Sequence, residues 1–129
     1  MSTLKVNTVQ HNTSGFNNVV QFTDGAGTQN GTLCRAWVNF NGTSTVAIRA
    51  SFNVSSITDR GTGQYTVNFT NSLTDANYSV ASSGTSSSNY FHAIEDDSLA
   101  PQSSNCRIVS RTGGGTLNDT PYGLFNFFR

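Results

Sequence analysis

The chain is predicted to be all-β: an antiparallel β-sandwich or jelly-roll-like domain with a short N-terminal arm. Three observations predict this. Val46, Ile48, Ala50, Phe52 and Val54 alternate with Ala47, Arg49, Ser51 and Asn53. A period of two puts one set on a buried face and the other in water. Nine Phe, four Tyr and one Trp join many Val and Ile as β-formers, while Glu95, Lys5 and Met1 are the only residues of their types. Ser, Thr and Asn make up 49 of the 129 residues, and charged residues are only 11%. Such a chain is less charged than a typical cytosolic enzyme, and its aromatic and β-branched residues set it apart from a disordered segment and suffice for one modest core.

Residues 1–30 form the predicted arm. Leu4, Val6, Val9, Phe16, Val19, Val20 and Phe22 are too sparse to close a core alone. Short strands fit 3–10 and 18–22, and Asp24 to Gly27 reads as a turn. The arm is expected to pack on the main domain or on a neighbouring subunit.

The main domain is expected over 31–129, with strands at 33–40, 45–54, 64–70, 77–83, 89–95, 104–110 and 121–128. Asn41-Gly42 suits a tight hairpin turn, because both residues tolerate positive φ. Ser55-Ser56-Ile57-Thr58 admits one short helical turn. Asp59 to Gly63 reads as a turn, Ser82 to Ser88 as a surface loop, and Gly113-Gly114-Gly115 as a flexible corner.

The C-terminal segment Pro121–Arg129 is aromatic nearly to its last residue. Tyr122, Leu124, Asn126 and Phe128 share one face of such a strand; Gly123, Phe125 and Phe127 share the other. With aromatics on both faces, either a subunit covers one side or the strand lies centrally in a single sandwich. Leu4, Val6, Phe16, Phe125, Phe127 and Phe128 are therefore the candidate oligomer-interface residues.

Several function classes are disfavoured. The formal net charge is zero and the six arginines are dispersed, so no basic patch exists to displace counterions from nucleic acid. No run of about 18 apolar residues predicts a membrane span. Met1 to Lys5 lacks an apolar signal core, so export through a signal peptide is not expected. Seven Asn-x-Ser/Thr sequons then reflect composition rather than glycosylation. Cys34 and Cys106 are expected as free, buried thiols, although one disulfide between them is open to the sequence.

No catalytic or cofactor motif emerges. His92, Glu95, Asp96 and Asp97 lie close in sequence, but His92 and Glu95 fall on opposite faces of a strand. The alternating acids and Gly of a calcium loop are absent, as are a phosphate loop and a nucleophile elbow. We expect no catalytic residues, no metal and no cofactor. Trp37 should face away from Ala36, Val38 and Phe40, beside Arg35 and Asn39. There it either stacks on a sugar ring or covers the second face of a central strand or a subunit interface. Trp37, Tyr90 and His92 are the candidate surface ligand contacts.

The block Ala36 to Thr43, continued by Val46 to Asp59, Gly61 to Phe69 and Asp75 to Val80, resembles a module of bacteriophage tail-fibre and other virion proteins, common in cyanophages. The opening Ser2 to Gln10 is similar to the start of such proteins, where it attaches the chain to the particle. Together these stretches cover 46 of the 129 residues. Fibres of this kind usually have a shaft between arm and head, whereas here the arm meets the module almost directly. The resemblance implies a virion structural protein, made in the host cytoplasm and without enzymatic activity. The expected form is a short tail fibre or tail-tip component, a homotrimer bound to other virion proteins and touching host surface glycan. A capsid decoration protein and a virion-associated glycan hydrolase are the alternatives.

Overall fold

The computed structural model describes residues 19–25, 27–83, 90–94 and 101–129. Ten strands follow in chain order: β1 (Val19–Asp24), β2 (Gly27–Thr32), β3 (Cys34–Asn41), β4 (Ala47–Phe52), β5 (Val54–Gly61), β6 (Gln64–Phe69), β7 (Ser79–Ser83), β8 (Phe91–Ile94), β9 (Asn105–Arg111) and β10 (Gly123–Phe128). No helix occurs among the described residues. The hairpin β1–β2 is a two-stranded sheet of its own, with Val19 opposite Thr32 and Asp24 opposite Gly27. The other eight strands make two antiparallel sheets, ordered β4-β3-β10-β7 and β5-β6-β9-β8. They pack face to face as a β-sandwich.

Alternation along the central strands builds the core. Ala36, Val38 and Phe40 of β3 and Phe125 and Phe127 of β10 point inward from the first sheet. Tyr65, Val67 and Phe69 of β6, with Cys106 and Ile108 of β9, meet them from the second. Aromatic edges meet faces between the layers: Phe40 and Tyr65 at 5.1 Å, and Phe69 and Phe127 at 5.0 Å between ring centroids. Each fully buried Phe contributes about 1.5–3 kcal/mol from apolar burial. The C-terminal segment is thus a central strand of one sandwich. Phe125 and Phe127 lie inside the subunit's own core, which removes them as oligomer-interface candidates.

The stretch 46–54 departs from the single strand expected. Asn39 pairs with Ala50 but Phe40 pairs with Ile48, so Arg49 is an extra residue, a β-bulge. The bulge reverses the alternation. Ile48 faces in with Phe40, whereas Phe52 faces out opposite Trp37. Asn53 then takes a left-handed conformation at φ 55°. Beyond it the chain leaves the first sheet, and Val54 pairs with Phe69 in the second.

Two further expectations are corrected. Residues 55–58 form no helical turn: Ser56, Ile57 and Thr58 pair with β6, and Ser55, bulged between the paired residues, donates its Oγ to the Asn68 carbonyl at 3.2 Å. Asn41-Gly42 does not turn through positive φ; between β3 and β4 it is Ser44 that takes the left-handed conformation, at φ 56°. Gly42 is required for another reason. A Cβ there would overlap the Tyr65 hydroxyl and come within 2.9 Å of the Thr120 carbonyl.

Register also places the loops. The near end of the sandwich, where the chain enters β3, holds the β4–β5 crossover, residues 70–78 and the start of β9. At the far end lie residues 42–46, 62–63 and 112–122. β7 runs toward the far end and finishes at Ser83 opposite Leu124. Ser83, at the far end, and residues 101–104, at the near end, therefore adjoin opposite ends of the sandwich.

Candidate recognition surface

Because Ala36, Val38 and Phe40 face the core, Trp37 and Asn39 face outward on the first sheet, and Arg35 is the extra residue of a bulge against β10. Across the ladder, Trp37 lies between Phe52 of β4 and Asn126 of β10, while Asn39 lies between Ala50 and Leu124. Trp37 is 37% exposed and Phe52 is 55% exposed, so the pair shows two aromatic rings to solvent on a face of small and amide side chains. At the far edge the Arg49 guanidinium lies 4.5 Å from the Tyr122 ring centroid, a cation–π contact.

Phe52 also belongs to an open cleft of about 510 Å³ at the near end. Three separated segments line it: Leu33 to Arg35, Phe52 with Asn53, and Thr70 to Leu73. Asn53 holds them together. Its Nδ2 donates to the carbonyls of Arg35 at 3.1 Å and Asn71 at 3.0 Å, and its Oδ1 accepts the Asn71 N–H at 2.8 Å. The Thr70 N–H donates to the Asn53 carbonyl, and the Leu73 N–H to the Ser103 carbonyl. With its backbone bonded in this way, the cleft is a preformed feature.

The cleft also has a free cation. Among the described residues the Arg35 guanidinium has no hydrogen-bond or ion-pair partner, and no acid lines the cleft. Asp59, Asp75 and Asp119 are engaged elsewhere. Asp75 forms a two-point ion pair with Arg129, at 2.9 and 2.6 Å. The Asp119 carboxylate accepts the Gly63 N–H at 2.8 Å and lies 3.0 Å from the Tyr65 hydroxyl, and Asp59 accepts the Gly61 N–H. Burial and the neighbouring Asp119 push the Tyr65 phenol far above its ordinary value. No group of three or more His, Cys, Asp or Glu among the described residues could hold a metal.

The candidate contacts do not form one site. Trp37 is outward and exposed, as its alternation predicts. Tyr90, before β8, accepts a hydrogen bond from Asn118 Nδ2 at 3.1 Å beside the other sheet. His92 is not a surface contact: its ring packs inward on Phe125 at 5.0 Å. Among the described residues neither of its buried nitrogens is hydrogen-bonded, and the Ser110 hydroxyl of the residue opposite is equally unpartnered. Burial holds the His92 imidazole below its ordinary value, and the Ser83 backbone, outside hydrogen-bonding geometry, offsets this only in part.

Phe128 faces outward, half-buried, opposite Cys34 and Ser79. Leu4, Val6, Phe16, Glu95, Asp96 and Asp97 lie outside the described residues. Both cysteines are free; Cys106 is buried as expected, whereas Cys34 is half-buried and lines the cleft. Leu33, Arg35 and Phe52 were not anticipated, because a bulge and a sheet crossover bring them together. Comparison of the chain with family models, with curated proteins and with solved structures finds no match.

Proposed function

We propose that the chain is a virion structural protein, a short tail fibre or tail-tip component, in which the N-terminal segment attaches and the sandwich is displayed. One observation carries this reading: β1 and β2 form a sheet separate from both sandwich sheets, joined to β3 through Leu33 alone. A two-part build of this kind suits an anchor followed by a head. The resemblance of Ala36 to Thr43, Val46 to Asp59, Gly61 to Phe69 and Asp75 to Val80 to a tail-fibre module supports the same assignment.

The head assembles as a homotrimer. Leu124 and Phe128, on the outer face of β10 beside the small side chains of β7, supply an apolar contact strip that leaves Trp37 and Phe52 in solvent. The neutral surface, rich in hydroxyl and amide groups, suits contact with host saccharide. Deleting residues 1–30 tests the division of labour. The truncated chain is expected to keep its β-sheet circular dichroism and to be lost from particles. Normal incorporation of the truncated chain would overturn the anchoring role.

A further inference from the structure

We propose that the cleft between Leu33–Arg35, Phe52–Asn53 and Thr70–Leu73 binds a sugar ring bearing an anionic substituent, a carboxylate or a phosphate. The inference stands on the chemistry of the cleft and not on any role in a particle. Arg35 supplies the charge. Its backbone is fixed by Asn53, its guanidinium has no partner among the described residues, and no acid in the lining competes for it. A guanidinium presents paired N–H donors that match the oxygens of a carboxylate or phosphate.

Phe52 supplies the platform. More than half exposed, it offers an apolar ring surface in the same cleft, extended along the ladder by Trp37. An exposed aromatic face beside polar groups suits a ring with one apolar and one hydroxylated side. The hydroxyls of Thr70 and Ser72 have no partner among the described residues, so they are free to bond ring hydroxyls. A few polar groups around an apolar surface in a preformed hollow is the usual build of a small-ligand site.

Isotope-labelled full-length protein titrated with glucuronate, glucose 6-phosphate, glucose, inorganic phosphate and adenosine monophosphate tests this. Glucuronate and glucose 6-phosphate are expected to shift the amide signals of residues 33–35, 52–53 and 70–73. Glucose and inorganic phosphate should each bind at least tenfold more weakly, because each lacks one half of the recognition. The stronger of the two anionic sugars identifies the substituent. Arg35→Gln, with an otherwise unchanged spectrum, should lose the preference for anionic sugars over glucose, and Phe52→Leu should weaken both several-fold. Equal binding of glucose, equal binding of inorganic phosphate, tighter binding of adenosine monophosphate, shifts confined to other residues, or an undiminished Arg35→Gln variant would each overturn the proposal.

Discussion

Asn53 and Asn71 bond each other in both directions: Asn53 Nδ2 donates to the Asn71 carbonyl at 3.0 Å, and the Asn71 N–H donates back to Asn53 Oδ1 at 2.8 Å. The same Nδ2 donates to the Arg35 carbonyl. One side chain thus ties both sheets together where the chain crosses between them, and it sets the walls of the cleft. Asparagine suits the position because it tolerates φ 55° and carries both a donor and an acceptor.

Asn53→Ala should therefore destabilise the fold by about 2–4 kcal/mol, from three lost hydrogen bonds and a strained backbone. Asn53→Gly should cost less, since glycine accepts the conformation and loses only the bonds. Urea unfolding midpoints check the order. Equal midpoints for the two variants would show that the left-handed conformation carries no cost.

Gly42 and Tyr65 should behave as a coupled pair. Gly42→Ala drives a methyl into the Tyr65 hydroxyl, whose oxygen lies 3.0 Å from the Gly42 carbonyl. Tyr65→Phe removes that oxygen, so Gly42→Ala should cost less in the Tyr65→Phe background. A double-mutant cycle is expected to return a coupling of about 1 kcal/mol. Strict additivity would contradict the overlap.

The ion pair of Asp75 with Arg129 should release with acid. The Arg129 guanidinium holds the Asp75 carboxyl below its ordinary value. A depressed carboxylate stabilises the fold above its unfolded value, about 3.9, and that contribution is lost as the pH falls through the folded value. Both side chains are more than a third exposed, so salt should weaken the contact. Carboxyl NMR titration of Asp75 should show a depressed midpoint that returns to normal in Arg129→Ala.

His92 predicts a second pH window. Its imidazole is held below the ordinary value, so its stabilising contribution is complete above about 6.5 and is lost as the pH falls through the depressed folded value. His92→Phe should flatten the stability profile there. It should also stabilise the protein by about 1 kcal/mol at neutral pH, because two unpartnered nitrogens leave the interior. Thermal unfolding between pH 5 and 7.5 compares the two proteins.

Legibility in the sequence followed local regularity. From Ala36 to Phe40 β3 alternates without a break, so the outward placement of Trp37 could be read from alternation. Around Arg49 the same rule failed, because one bulged residue moved Phe52 from the expected core side to solvent. A left-handed Asn53 then divided what read as one strand, and the edge strand β5, rich in Ser and Thr, carried no strong apolar signal. In β10 alternation showed which residues share a face but not which face is interior, since both carry aromatics. The cleft was invisible for a different reason: its three segments are far apart in sequence and meet only through pairing between strands and the Asn53 bonds.

The most direct test of the virion assignment is to purify particles from lysates in which the chain is made, quantify it by mass spectrometry, and locate it by electron microscopy. The account predicts the chain in the particles at a copy number divisible by three, with density for a two-sheet head projecting from the tail. A chain abundant in the lysate but missing from purified particles would contradict it.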